Sequence, residues 1–196
     1  MRRGEAVLRA STVSVSVTHD AVIYDLDGTL VRLAVDWDTV TSDVATVLRD
    51  RNVDPKNRDL WEMLTLSSDT GHRDAVEAAI TDHERTGAHD SDRLPLADGL
   101  PHSVPVGVCS LNAEEACHLA LEVHNLDTYV GSVVGRDTVG SSKPDPEGLL
   151  TIAEEIGVDP EATVFVGDSK SDATAAQRAG MAFEWASDFD QARYRA

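Results

Sequence analysis

Short apolar runs bounded by polar turn residues alternate along much of the chain with stretches in which apolar residues recur every three or four positions. AVIY at 21–24, VPVGVC at 104–109, YVGSVVG at 129–135, ATVFVG at 162–167 and MAFEW at 181–185 read as buried parallel strands. Helices fit between them. Asn112 is placed to cap one that carries Glu114 and Glu115 in its first turn and Ala116, Leu119, Ala120 and Val123 on one face. Pro146 opens another that Gly157 ends, and a third runs from Asp168 to Gly180. Strands alternating with such helices predict an α/β fold with a doubly wound parallel sheet.

Between the first strand and the second the alternation stops. Val40, Val44, Val47 and Leu48 mark one face of a helix, and Asp54-Pro55 reads as the opening of a second, with Leu60, Trp61 and Leu64 inward. A third helix is expected from about Gly71 to Thr86, turning Val76, Ala79, Ile80 and His83 inward, with Gly87 as its stop. These three helices without strands read as a small α-helical insert over 33–97, dividing a core of 1–32 and 98–196. Trp37 and Trp61 are expected in the core of that insert, with contact to a ligand beneath it as the alternative. Val13, Val15 and Val17 alternate with hydroxyl residues as an edge strand would.

Composition narrows the function. Thirty-five acidic against 17 basic residues give a net charge of -18, a surface that repels phosphate backbones and excludes nucleic acid as a partner. With 41% hydrophobic residues the chain still folds. Lysine is scarce, and Lys56, Lys143 and Lys170 are its examples. That acidic balance predicts adaptation to concentrated salt, which screens self-repulsion. No apolar run approaches the roughly 18 residues that span a membrane, and the start MRRGEAVLRA lacks an apolar signal segment, so a cytoplasmic location is expected. Cys109 and Cys117 match no zinc spacing and read as buried thiols, and the histidines form no metal pair.

The candidate chemistry lies at strand ends. Asp25 and Asp27 follow the first strand, with Gly28 allowing the backbone to close on a ligand, although the same residues also make ordinary turns. Ser110 and Asp168 stand directly after two other strands, and open parallel sheets gather their ligands at that edge. Lys143, in the loop SSKPDP, offers a compact charge to a phosphoryl oxygen. Asp168 and Asp172 lie i and i+4 at a helix start, where a carboxylate can be purely structural. Clustered carboxylates repel unless a cation sits among them, and oxygen ligands favour Mg²⁺.

DLDGTL, a serine ending an apolar strand, KPDP and VFVGDSKSD, in that order, resemble the haloacid dehalogenase superfamily, and the insert resembles the helical cap of its phosphoglycolate phosphatase branch. The resemblance implies a Mg²⁺-dependent phosphatase acting on a small phosphoester, with phosphoglycolate as one substrate. It makes Asp25 the nucleophile, Asp27 the acid and base, and Thr29, Ser110 and Lys143 the phosphate ligands. Asp25, Asp27 through its carbonyl, and Asp168 would bind the metal, supported by Asp172. The chain departs from that pattern at Leu111, where relatives often carry asparagine, and in LADGLPHSVP, which is too short for the usual helix. A haloacid dehalogenase is disfavoured by Asp27. A phosphomutase and a non-catalytic binding protein on the same fold remain as alternatives.

Overall fold

The computed structural model describes residues 18–196, so the strand expected around Val13 to Val17 lies outside the described residues. Five strands form one parallel sheet: β1 (Ala21–Tyr24), β4 (Val106–Cys109), β5 (Ser132–Val134), β6 (Thr163–Gly167) and β7 (Ala182–Trp185), in the order β5-β4-β1-β6-β7. Every residue of β1, β4 and β6 is buried, because helices cover both faces of the sheet and leave no position for a polar side chain to reach water. On one face Val22, Tyr24, Val106, Val108, Val164 and Val166 pack against Ala116, Ala120 and Leu121 of α4 (Glu114–Val123). On the other, Ile23, Cys109 and Phe165 pack against α5 (Glu147–Glu155) and α6 (Lys170–Ala179). The fold is therefore the doubly wound α/β sheet expected, and β1 is its centre.

Three helices, α1 (Trp37–Arg49), α2 (Leu60–Asp69) and α3 (Arg73–His89), close around a separate apolar cluster that includes Val40, Val44, Leu48, Met63, Leu64, Val76 and Ile80. The chain enters and leaves this unit through two short strands paired antiparallel, β2 (Val31–Arg32) and β3 (Asp92–Arg93). That pairing holds entry and exit side by side. Among the described residues no helix is long and apolar enough to cross a membrane.

Several local expectations are corrected. The second helix begins after Asp59, not at Asp54-Pro55, because Asp59 and Glu62 cap each other reciprocally while Asn57 turns the preceding chain at φ +58°. Gly87 does not stop the third helix. It lies within α3, where a Cβ would come 2.4 Å from Cγ2 of Val35 and 3.0 Å from the backbone of Ala34, so glycine permits a close crossing there. His83 faces the surface and meets Asp43 at 2.9 Å, while Glu84 occupies the inward position. Trp37 and Trp61 are 37% and 44% exposed and do not belong to the insert's core. Asn112 gives no cap to α4. Its amide and the adjacent backbone are engaged by Glu84, and the inward face of α4 runs through Ala116, Cys117, Ala120 and Leu121, with Leu119 half-buried against the core and the expected Val123 exposed.

Candidate active site

β4 and β6 flank β1 directly, so the residues that follow these three strands stand side by side at one edge of the sheet. Asp25 continues the ladder by donating its N–H to Val166 O at 2.8 Å, and Ser110 does so toward Val134 O at 2.9 Å. The chain then turns sharply: the N–H groups of Thr29, Leu30 and Val31 all converge on Leu26 O. Gly28 sits at φ +86°, and a Cβ there would come 2.1 Å from Oδ2 of Asp168. Glycine is required at this position both for backbone and for space.

Lys143 is the hub. Its Nζ donates to Asp25 Oδ1 at 2.7 Å, to Asp172 Oδ1 at 2.6 Å and to Cys109 O at 3.1 Å, and lies 5.4 Å from the centre of the Phe165 ring. Burial works against its charge, but the Asp25 and Asp172 carboxylates outweigh that and hold the ammonium above its usual range. Burial raises Asp25 to about 6 despite Lys143 beside it. Asp27 is also raised, first by burial, although its Oδ1 accepts the Leu33 N–H at 2.9 Å. Asp168 is exposed and raised by partial desolvation and by Asp172. Thr29 Oγ1 lies 3.4 Å from Asp25 Oδ2, and Ser110 Oγ donates to Asn112 Oδ1 at 3.0 Å.

Carboxylate oxygens of Asp25, Asp168 and Asp172 lie within 4.8 Å of one another. Oxygen-only donors with a single ammonium between them suit a hard divalent cation. Asp172 is already committed within the protein: Oδ1 meets Lys143, and Oδ2 accepts from Ser169 N and Oγ at 3.0 and 2.6 Å in the cap of α6. It orients Lys143 and completes the acidic cluster from behind.

A group that sequence reasoning missed holds the loop after β4. Glu84 and Arg136 are buried and joined twice, Nη1 to Oε1 at 2.7 Å and Nη2 to Oε2 at 3.1 Å. Glu84 also accepts from Asn112 Nδ2 and Ala113 N, while Arg136 Nη1 donates to Leu111 O at 2.8 Å and Nε to Glu77 at 2.9 Å. Burial opposes the guanidinium charge, and the two glutamates outweigh it. The available signal was Glu77 and Glu84 at i and i+7, on either side of inward Ile80. Trp37 and Trp61, also misplaced by the pattern, line the cavity of about 180 Å³ over Asp25, Asp27 and Lys143.

Residues 99–186 match the family model of haloacid dehalogenase-like hydrolases. The chain resembles those hydrolases in both sequence and fold. Among curated proteins, the phosphoglycolate phosphatase of Escherichia coli K12 is 36% identical over 77 residues, 39% of this chain and 31% of that one. The phosphoglycolate phosphatase of Pseudomonas putida KT2440 is 30% identical over 106 residues, 54% of this chain and 39% of that one. The aligned stretch thus spans less than half the length of these relatives. Among solved structures, one from Lactobacillus plantarum superposes with a TM-score of 0.65 at 22% identity, covering 91% of this chain and 93% of its own. CbbY from Rhodobacter sphaeroides, solved in complex with phosphate, gives 0.63 at 17% identity over 86% of each chain. At those identities the fold alone is what is shared.

Proposed function

We propose that this protein is a Mg²⁺-dependent phosphatase that hydrolyses a small phosphomonoester through an aspartyl-phosphate on Asp25. The observation that carries this reading is the buried Asp25 carboxylate at the central strand end, bridged by Lys143 to Asp172 and grouped with Asp168. Residues 33–97 act as a cap over a core formed by 1–32 and 98–196. The shared name of the curated relatives makes phosphoglycolate the first substrate to assay.

Asp25 attacks phosphorus, and the departing oxygen takes a proton from Asp27, whose raised affinity for protons suits an acid. With Oδ1 occupied by the Leu33 N–H, Oδ2 of Asp27 carries that proton. The deprotonated Asp27 then takes a proton from water, which attacks the aspartyl-phosphate and releases inorganic phosphate and free Asp25. Lys143, Ser110 and Thr29 hold the phosphoryl oxygens, and Trp37 and Trp61 limit competing water. Mg²⁺ would be held by Asp25, Asp168 and the Asp27 carbonyl, with Asp172 behind, and would neutralise the charge of the transferred group.

Phosphate release decides the matter. Activity should vanish in EDTA and return with Mg²⁺, and Asp25→Asn should release nothing from any phosphoester. Undiminished turnover in EDTA, or by Asp25→Asn, would refute the assignment.

A further inference from the structure

The roof of the site is aromatic. Trp37 is the first residue of α1 and Trp61 the second of α2, and both face the 180 Å³ cavity above Asp25. They are two of the chain's three tryptophans, and each leaves more than a third of its surface in water. Apolar surface left uncovered over a reaction centre marks a binding surface, since each indole would gain by turning into the insert's own core. Lys143 is the one cation lining this cavity among the described residues, and its three protons already go to Asp25, Asp172 and Cys109 O. A leaving group that ended in a carboxylate two carbons from phosphorus would meet indole faces in this cavity, where Lys143, shared between Asp25 and Asp172 and facing the phosphoryl group, is the one cation.

The space continues past the roof. Trp61, Leu111 and Lys143 also line a second cavity of about 430 Å³, so the larger one begins where the smaller ends. Its walls carry Arg73 and the hydroxyl residues Thr65, Ser142 and Ser171. Arg73 is partly exposed and holds Glu77 with one nitrogen and Ser68 Oγ with another, so its guanidinium is fixed in place with donors to spare. A passage with one flat apolar wall and hydrogen-bonding groups beyond it fits a ring bearing polar substituents.

We propose that the substrate is a ring-bearing phosphomonoester, a sugar or nucleoside phosphate, whose ring lies against Trp61 and whose polar edge reaches toward Arg73. This rests on the phosphatase reading above. Sugar C–H faces and nucleobases both stack on indole, which is the chemistry they share.

Phosphate release in Mg²⁺ should be compared for acetyl phosphate, phosphoglycolate, glucose phosphate and adenosine monophosphate. At least one of the two ring substrates should exceed phosphoglycolate in kcat/KM by about tenfold or more, and their ratio tells a sugar from a nucleoside. Trp61→Ala should lower that preference by about tenfold, chiefly through KM, while Trp61→Phe keeps most of it. Trp185→Ala is the comparison, since Trp185 lines another groove that shares Asp168 with the site but is not walled by Trp61. Preference of the wild type for phosphoglycolate, or equal shifts from Trp61→Ala and Trp185→Ala, would overturn the inference while hydrolysis of acetyl phosphate leaves the phosphatase reading standing. If no ester is hydrolysed, quenching of tryptophan fluorescence still decides. Tighter binding of either ring phosphate than of phosphoglycolate supports the proposal, and equal or weaker binding sinks it.

Discussion

Lys143 spends all three of its protons inside the protein, two of them on carboxylates that would otherwise face each other. Lys143→Ala should therefore cut kcat/KM by on the order of 10²-fold or more, the scale for one preorganised electrostatic donor. Lys170, exposed at the start of α6, is the internal control. Steady-state kinetics on both variants would show a misassignment as equal losses. Under the proposed mechanism, Asp27→Asn removes the proton carrier and keeps the nucleophile. On p-nitrophenyl phosphate, whose leaving group needs little protonation, the variant should release up to one equivalent of nitrophenol per enzyme and then slow. On alkyl phosphates the rate should fall by about 10² to 10⁴. Stopped-flow traces distinguish these, and near wild-type turnover on alkyl esters would remove Asp27 from the mechanism. These residues stood out as candidates because each sits close after an apolar strand or breaks the chain's compositional habit. Trp37 and Trp61 were misread because helical spacing says which residues share a face, not what that face meets.

At the scale of elements, α3 fastens the insert to the core. Its buried Glu84 reaches Arg136 and the loop after β4, and Gly87 lets the same helix cross Ala34 and Val35 closely. Glu84→Ala leaves the buried guanidinium with one partly exposed carboxylate, Glu77, beside the Leu111 carbonyl, and should cost about 3–5 kcal/mol in urea unfolding. Replacing both members, as in Glu84→Leu with Arg136→Met, removes two charges that burial penalises and should cost clearly less. A double variant as unstable as the sum of the single ones would show that the pair is not the unit of stability. Strands and most helices could be read from periodicity. Helix boundaries were less legible because caps such as Asp59 with Glu62 outcompete the Asp-Pro signal upstream, and because a helical glycine and a terminal glycine look alike in sequence.

Over the whole molecule the net charge of -18 opposes compaction wherever it is not screened. Added KCl shortens the Debye length from roughly 10 Å at a tenth molar to about 3 Å at one molar, so thermal stability should rise steeply with salt. Calorimetric scans across that range test it, and a flat dependence would leave the acidic surface without this explanation. The cysteines supply an independent probe of compactness. Burial pushes the Cys109 thiol up to about 12 and raises Cys117 further, so both stay protonated at neutral pH. Neither should react with iodoacetamide in the native protein, and both should react in urea. Rapid native labelling would contradict the packing of β4 and α4.

The alternation of apolar runs and amphipathic stretches by itself determined the doubly wound sheet, the helical insert, and which residues stand at strand ends, because burial on both faces of a parallel sheet writes a continuous apolar run into each strand. Tertiary structure alone decided the strand order that makes Asp25 the neighbour of Ser110 and Asp168, the two protons by which Lys143 bridges Asp25 to Asp172, and the burial of Glu84 with Arg136. Local pattern reports how much of a residue is buried. Which distant residue it is buried against depends on how the layers close, and the energy of a charge depends on that partner.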